Sequence, residues 1–113
     1  MSDDLANRSC VPCRGGVLPL DRPRVSALLE LLENGWHNVD CHHLEKEFHF
    51  KDFREALAFT NRVGAVAEEQ NHHPDILTAW GKVTVRIWTH KANGLTENDF
   101  ILAAKVDKAL QPH

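Results

Sequence analysis

Tyrosine is absent from these 113 residues and methionine occurs once. No apolar run approaches the roughly 18 residues that a membrane-crossing helix requires, so the sequence offers no membrane span. An excess of positive charge is also missing: 13 Lys and Arg stand against 16 Asp and Glu, a formal net charge of -3. That balance provides no general attraction for nucleic acid or anionic lipid, and a small molecule or another protein is the expected partner. The opening Met1-Ser2-Asp3-Asp4-Leu5 is acidic where a secretory signal is basic and then apolar, which makes the cytoplasm the expected compartment. A chain of this size forms one domain that buries roughly 65% of its unfolded surface without help from disulfides. With 42% hydrophobic and 26% charged residues, neither a disordered chain nor a coiled coil is indicated. Histidine is what the chain has in quantity: eight, beside three Trp.

The three cysteines raise a metal question. Cys10-Val11-Pro12-Cys13 has the spacing of half a zinc site, and Cys41-His42-His43 offers further ligands. A second CxxC is missing, and the pair precedes the first periodic element. The favoured reading is therefore a flexible or lightly packed lead. Redox use of the pair is less favoured still, because no strand precedes it and no helix clearly follows.

From residue 21 onward the pattern is periodic. Asp21 caps a helix with Pro23 in its first turn, and Val25, Leu28, Leu29 and Leu32 recur at three- and four-residue steps until Asn34-Gly35. The period then changes to two, with Leu44, Lys46, Phe48 and Phe50 on one side and Glu45, Glu47 and His49 on the other. This predicts a hairpin with its loop near Asn38 to His43. Asp52 opens the longest helix, whose predicted inner face is Phe53, Ala56, Leu57, Thr60, Val63, Gly64 and Ala67, and which Pro74 prevents from continuing. Ile76 to Trp80 and Val83 to Thr89 flank a Gly81-Lys82 turn in a second hairpin. Val83, Val85 and Ile87 point one way, and Thr84, Arg86, Trp88 and His90 the other. Thr96 and Asp99 have the spacing of a capping box for a last helix to about Leu110. The pattern α-β-β-α-β-β-α predicts an α+β fold, a four-stranded antiparallel sheet with three helices packed on one face. Residues 1–20 form the lead and residues 21–113 the domain.

Chemistry-bearing side chains gather after the second helix. Glu68 and His72 stand four apart and meet on one face if the helix reaches that far. His73 precedes Pro74 and is pushed into extended backbone, so the adjacent imidazoles diverge. His90 shares the uncovered side of the second hairpin. Three imidazoles with a carboxylate suit general acid and base catalysis near neutral pH. Blander roles compete: His72 as a cap for helix carbonyls, Trp80 and Trp88 as core or interface aromatics, Asp99 as a helix-start acid. His37, His42, His43, His49 and His113 read as surface residues.

Glu68, three residues, His72-His73-Pro74, five residues, Trp80, nine residues, His90, eight residues and Asp99 resemble the signature of the pterin-4a-carbinolamine dehydratase family. Phe48-His49-Phe50-Lys51-Asp52-Phe53 resembles its strand-to-helix junction, and Thr89-His90 with Gly94-Leu95-Thr96 resembles its strand end and helix start. The likeness covers about residues 21 to 110. Residues 1–20, with Cys-Val-Pro-Cys-Arg-Gly-Gly, resemble a lead found only on some bacterial and plant members.

The resemblance implies dehydration of a 4a-hydroxytetrahydropterin, left by aromatic amino acid hydroxylases, to quinonoid dihydropterin. It implies no metal and no organic cofactor. His72 and His90 are the implied acid/base pair, and His73 the residue that binds and orients the pterin. Glu68 is implied to tune His72, Trp80 to wall the ring pocket, and Asp99 to support His90 or contact substrate. Implied partners are the pterin, further copies of this chain in a homodimer or homotetramer, and a hydroxylase pathway or protein partner. A non-catalytic protein-binding role, as in RuBisCO assembly or transcriptional coactivation, is the implied alternative. A zinc hydrolase built on His72, His73 and His90 is a further one, disfavoured because ligands diverging before a proline coordinate awkwardly.

Overall fold

Two aspartates start the first two helices. In α1, Arg22–Leu29, the Asp21 carboxylate accepts the Arg24 backbone N–H at 3.0 Å, and Pro23 occupies the first turn. The helix ends earlier than the Leu stripe predicts: it closes at Glu30, and Leu31 and Leu32 continue in tighter turns bonded to Leu28 and Leu29. Gly35, at φ +108°, then turns the chain toward the sheet. In α2, Phe53–Gln70, Asp52 accepts from the Glu55 N–H at 2.9 Å. Its last turn closes on Asn71, a left-handed residue at φ 52°, which stops the helix three residues before Pro74. The computed structural model describes residues 5–10 and 18–110.

The buried face of α2 is Ala56, Phe59, Val63 and Ala67. Phe53 and Leu57, expected inside, are 45% and 44% exposed. At about 100° per residue they lie some 60–100° around the helix from Ala56, on the flank of the stripe that Phe59 and Val63 centre.

The sheet comprises β1, His37–Val39, β2, His43–His49, β3, Asp75–Ala79, and β4, Lys82–Ile87, in the order β1-β2-β4-β3 with every pair antiparallel. Leu44 and Phe48 of β2 and Val83, Val85 and Ile87 of β4 are buried beneath the helices. On the other face Glu45, Glu47 and His49 stand opposite Arg86, Thr84 and Lys82, and Glu45 pairs with the opposite charge of Arg86 at 2.6 Å. The hairpin turn is Trp80-Gly81, one residue earlier than expected. Gly81 sits at φ +70°, and a Cβ there would lie 2.9 Å from the Phe50 carbonyl oxygen.

β4 stops at Ile87, short of the predicted Thr89. Thr89 makes only an isolated bridge with Gly94, and His90 does not end the strand but starts a single 3-10 turn, His90–Ala92. The last helix, α3, Glu97–Ala109, begins at the expected Thr96–Asp99 capping box. It packs against α1, α2 and β4. From it Asp107 accepts from the Lys46 ammonium at 2.7 Å and from the Trp36 indole N–H at 2.9 Å.

The lead is more firmly seated than its sequence suggests. Leu5 and Ala6 are buried in the core, Lys105 donates to the Ala6 carbonyl at 2.7 Å, and Cys10 N–H donates to Gln70 Oε1 at 2.9 Å. Arg8 joins Arg24 in pairing with Glu97. Cys13, needed for the zinc and redox readings, and His113 lie outside the described residues. Among the described residues, no helix is long and apolar enough to cross a membrane.

Candidate active site

Three chain segments converge where β4 ends: the close of α2, the loop after β4 and the start of α3. Their meeting point is Asp99, which is fully buried. One carboxylate oxygen contacts His72 Nε2 at 2.6 Å. The other accepts the Thr96 backbone N–H at 2.8 Å and the Thr89 hydroxyl at 2.9 Å. Since Thr89 spends its only proton on Asp99, the Thr96 hydroxyl, 2.8 Å away, donates to Thr89. Asp99 also lies in the first turn of α3, where the helix dipole favours negative charge.

A carboxylate only accepts, so in this contact His72 donates from Nε2, and its Nδ1 lies outside the pair. The same logic applies next door, where His73 Nε2 meets Glu68 at 2.5 Å. The settings differ: the His72 side chain is 12% exposed, whereas those of His73 and Glu68 are 52% and 79% exposed.

These contacts change the expected pairing. Glu68 does not reach His72, because α2 ends at the left-handed Asn71 and His72 leaves the helix face. Glu68 meets His73 instead. Asp99 supports His72 rather than His90. His90 is exposed and stacks on Trp88, with ring centroids 4.6 Å apart and planes inclined 46°. Trp80 is not brought to this place. It is 73% exposed at the β3–β4 turn, at the opposite end of β4 from Trp88. Among the described residues, His72, His73 and His90 do not form a cluster of metal-holding geometry.

Several participants were not singled out from sequence. Thr89 continues the alternation of Val83, Val85 and Ile87 to the helix side, a signal available in the strand pattern. His42 and His43 pack on Trp88 at centroid distances of 5.3 and 5.9 Å. Only the strand register, Leu44 opposite Ile87, reveals this neighbourhood. Burial foremost, and then the charge of His42, holds the His43 imidazole below its ordinary pKa of 6.5.

Residues 18–109 match the family described as Pterin 4 alpha carbinolamine dehydratase. The chain belongs to this family. A relative from Rubrobacter xylanophilus, assigned as a pterin-4-alpha-carbinolamine dehydratase, is 55% identical over 93% of this chain and 97% of its own. The crystal structure of a transcriptional coactivator/pterin dehydratase from Brucella melitensis superposes with a TM-score of 0.76 at 33% identity, covering 81% of this chain and 98% of that one. A pterin dehydratase-like protein identified as a RuBisCO assembly factor of the alpha-carboxysome shares the fold at a TM-score of 0.59 and 24% identity, over 69% of this chain and 92% of that one. In this family member the Glu68, His72, His73, His90 and Asp99 side chains fall at the α2 end, the β4 exit and the α3 start.

Proposed function

We propose that this protein dehydrates a 4a-hydroxytetrahydropterin to quinonoid dihydropterin, within the recycling of a tetrahydrobiopterin-type cofactor. Family membership supplies the substrate class, and the buried His72–Asp99 contact at 2.6 Å is the observation that carries the catalytic reading. In the reaction a ring-nitrogen lone pair forms a C=N bond as the carbon–oxygen bond breaks. One group protonates the departing hydroxyl, which leaves as water, and another takes the proton from the ring nitrogen. His72 and His90 serve as this acid/base pair. Asp99 offsets a positive charge on His72, which suits it to donate from Nδ1. His90 has no carboxylate on its ring among the described residues, which suits it to accept. His73, oriented by Glu68, binds and turns the pterin. The reaction asks the protein for proton transfers only, which imidazoles provide.

Both edge strands, β1 and β3, have one neighbour each among the described residues, and such edges support the proposal of a homodimer or homotetramer. A protein-binding role is the second reading. The exposed Phe53, Leu57, Leu77 and Trp80 favour it. A stopped assay on enzymatically generated 4a-hydroxypterin separates the two. His72→Ala and His90→Ala are each expected to lose at least roughly a hundredfold in rate. Variants as active as wild type would overturn the dehydratase reading.

A further inference from the structure

His72 and His73 are oriented by carboxylates at 2.6 and 2.5 Å. His90 is held by an aromatic ring. We propose that Trp88 is the positioning residue of His90, and that the His42–His43 pair braces Trp88. The inference rests on the dehydratase reading above and adds what fixes its proton acceptor.

An exposed imidazole at the first residue of a short 3-10 turn has little to fix its plane. A carboxylate would orient it, but would also occupy one ring nitrogen. An indole face at 4.6 Å restrains the plane and leaves both nitrogens free to exchange protons. Trp88 is itself half-buried and packed against the core, so it is a fixed platform.

The brace is built from the end of the β1–β2 loop and the first residue of β2. His42 inclines 38° to the Trp88 ring, and its Nδ1 lies 3.1 Å from His43 Nδ1, the two imidazoles standing at 86° to each other. Four rings therefore form one contiguous block. Consecutive left-handed residues Asp40 and Cys41, at φ 55° and 56°, turn the chain so that both imidazoles reach Trp88. The Asn38 side chain secures this turn by accepting the Cys41 N–H at 2.8 Å. The same loop abuts the segment that carries His90: a Cβ on Gly94 would lie 3.6 Å from the Cys41 carbonyl oxygen. Backbone strain of this kind in a non-glycine pair persists where surrounding structure enforces it.

The test compares Trp88→Leu, Trp88→Phe, the double variant His42→Ala/His43→Ala, and His90→Ala. Each is assayed for kcat and KM across pH, and His90 ring protons are followed by NMR. Trp88→Leu is expected to lower kcat about tenfold with KM nearly unchanged, as misplacement of a proton acceptor does. Trp88→Phe, which keeps an aromatic face, restores most of the rate. The double variant, whose side chains are not in the core, gives a loss of about threefold and shifts the His90 resonances. Wild-type kcat in Trp88→Leu, with His90→Ala inactive, overturns the positioning role and leaves the dehydratase reading standing. Wild-type activity in His90→Ala overturns the acceptor assignment itself. Should Trp88→Leu fail to fold, unchanged kcat and unchanged His90 resonances in the double variant overturn the brace, and failure of Trp88→Phe to retain activity overturns the aromatic platform.

Discussion

Asp99 reaches His72 across 27 residues of sequence and holds its Nε2 at 2.6 Å from a fully buried carboxylate. The relationship joins folding to chemistry, because the oxygen that does not touch His72 closes the α3 capping box and takes the Thr89 hydroxyl. The helix start and the orientation of His72 therefore depend on the same side chain.

Replacing Asp99 by Asn tests that dependence. The amide nitrogen would face either His72 Nε2–H or the Thr donors, leaving a buried donor without an acceptor. Unfolding in urea is expected to show a loss of about 1–3 kcal/mol. The dehydration rate should fall roughly a hundredfold as His72 loses its orientation. Unchanged rate with lowered stability would mean that Asp99 serves the helix alone.

The α+β order and most element boundaries were legible because period-two and period-3.6 patterns, Asp caps and the Thr96–Asp99 spacing act locally. The residues that the structure pairs, His72 with Asp99 and His73 with Glu68, were all among those the family spacing singled out. Their pairing was not legible. Whether Glu68 meets His72 or His73 depends on a single left-handed residue, Asn71, and no periodicity reports where a helix releases its last side chain. His42 and His43 were hidden for a different reason: strand register, a long-range property, places them beside Trp88.

Lys46 and Asp107 provide a test of a buried ion pair on the helix side of the sheet. Their side chains are 12% and 8% exposed, and burial pushes the Asp107 carboxyl above its ordinary range despite the bonds from Lys46 and Trp36. Asp107→Ala leaves the ammonium and the indole N–H unpartnered, and is expected to cost about 3 kcal/mol in urea unfolding. Lys46→Met/Asp107→Leu, which removes both charges, should recover most of that loss. A double variant no more stable than Asp107→Ala would show that the ion pair itself, and not the orphaned charge, supplies the stability.

His43 ties stability to pH with a definite sign. Burial is the largest cause of its lowered pKa; His42 and Arg86 act in the same direction, and Glu45 and Asp40 oppose them. As pH falls below 6.5, the ordinary imidazole value, the unfolded chain binds a proton that the folded chain refuses. Stability falls with it until the folded-state pKa is passed. Relative to wild type, His43→Gln should therefore lose less stability between pH 7.5 and 5.5, read from urea midpoints. Parallel wild-type and variant curves over that interval would remove His43 as the source.

Glu97 works in the opposite sense. Hydrogen bonds from Arg24, then Arg8, hold its carboxyl below the ordinary 4.5. A depressed carboxylate stabilises the fold above its unfolded pKa, and the contribution disappears as pH falls through the folded value. The three side chains are between 37% and 55% exposed, so solvent and salt screen the pairs and the expected cost of Glu97→Gln at pH 7 is under about 1 kcal/mol. The difference from wild type should vanish in acid and shrink in 1 M salt.

Glu68 and Asp99 offer the same group to neighbouring imidazoles in unlike surroundings, and the contrast predicts unlike kinetics. The His73–Glu68 contact at 2.5 Å lies in the open, its side chains 52% and 79% exposed. An exposed pair contributes on the order of 1 kcal/mol or less, enough to bias the orientation of a binding residue but not to hold a proton donor in register. Glu68→Gln is thus expected to raise KM by about two- to fivefold and to leave kcat within about twofold of wild type. Asp99→Asn should do the reverse, lowering kcat far more than it changes KM. A fall in kcat for Glu68→Gln as large as that for Asp99→Asn would move the proton-transfer role from His72 to His73.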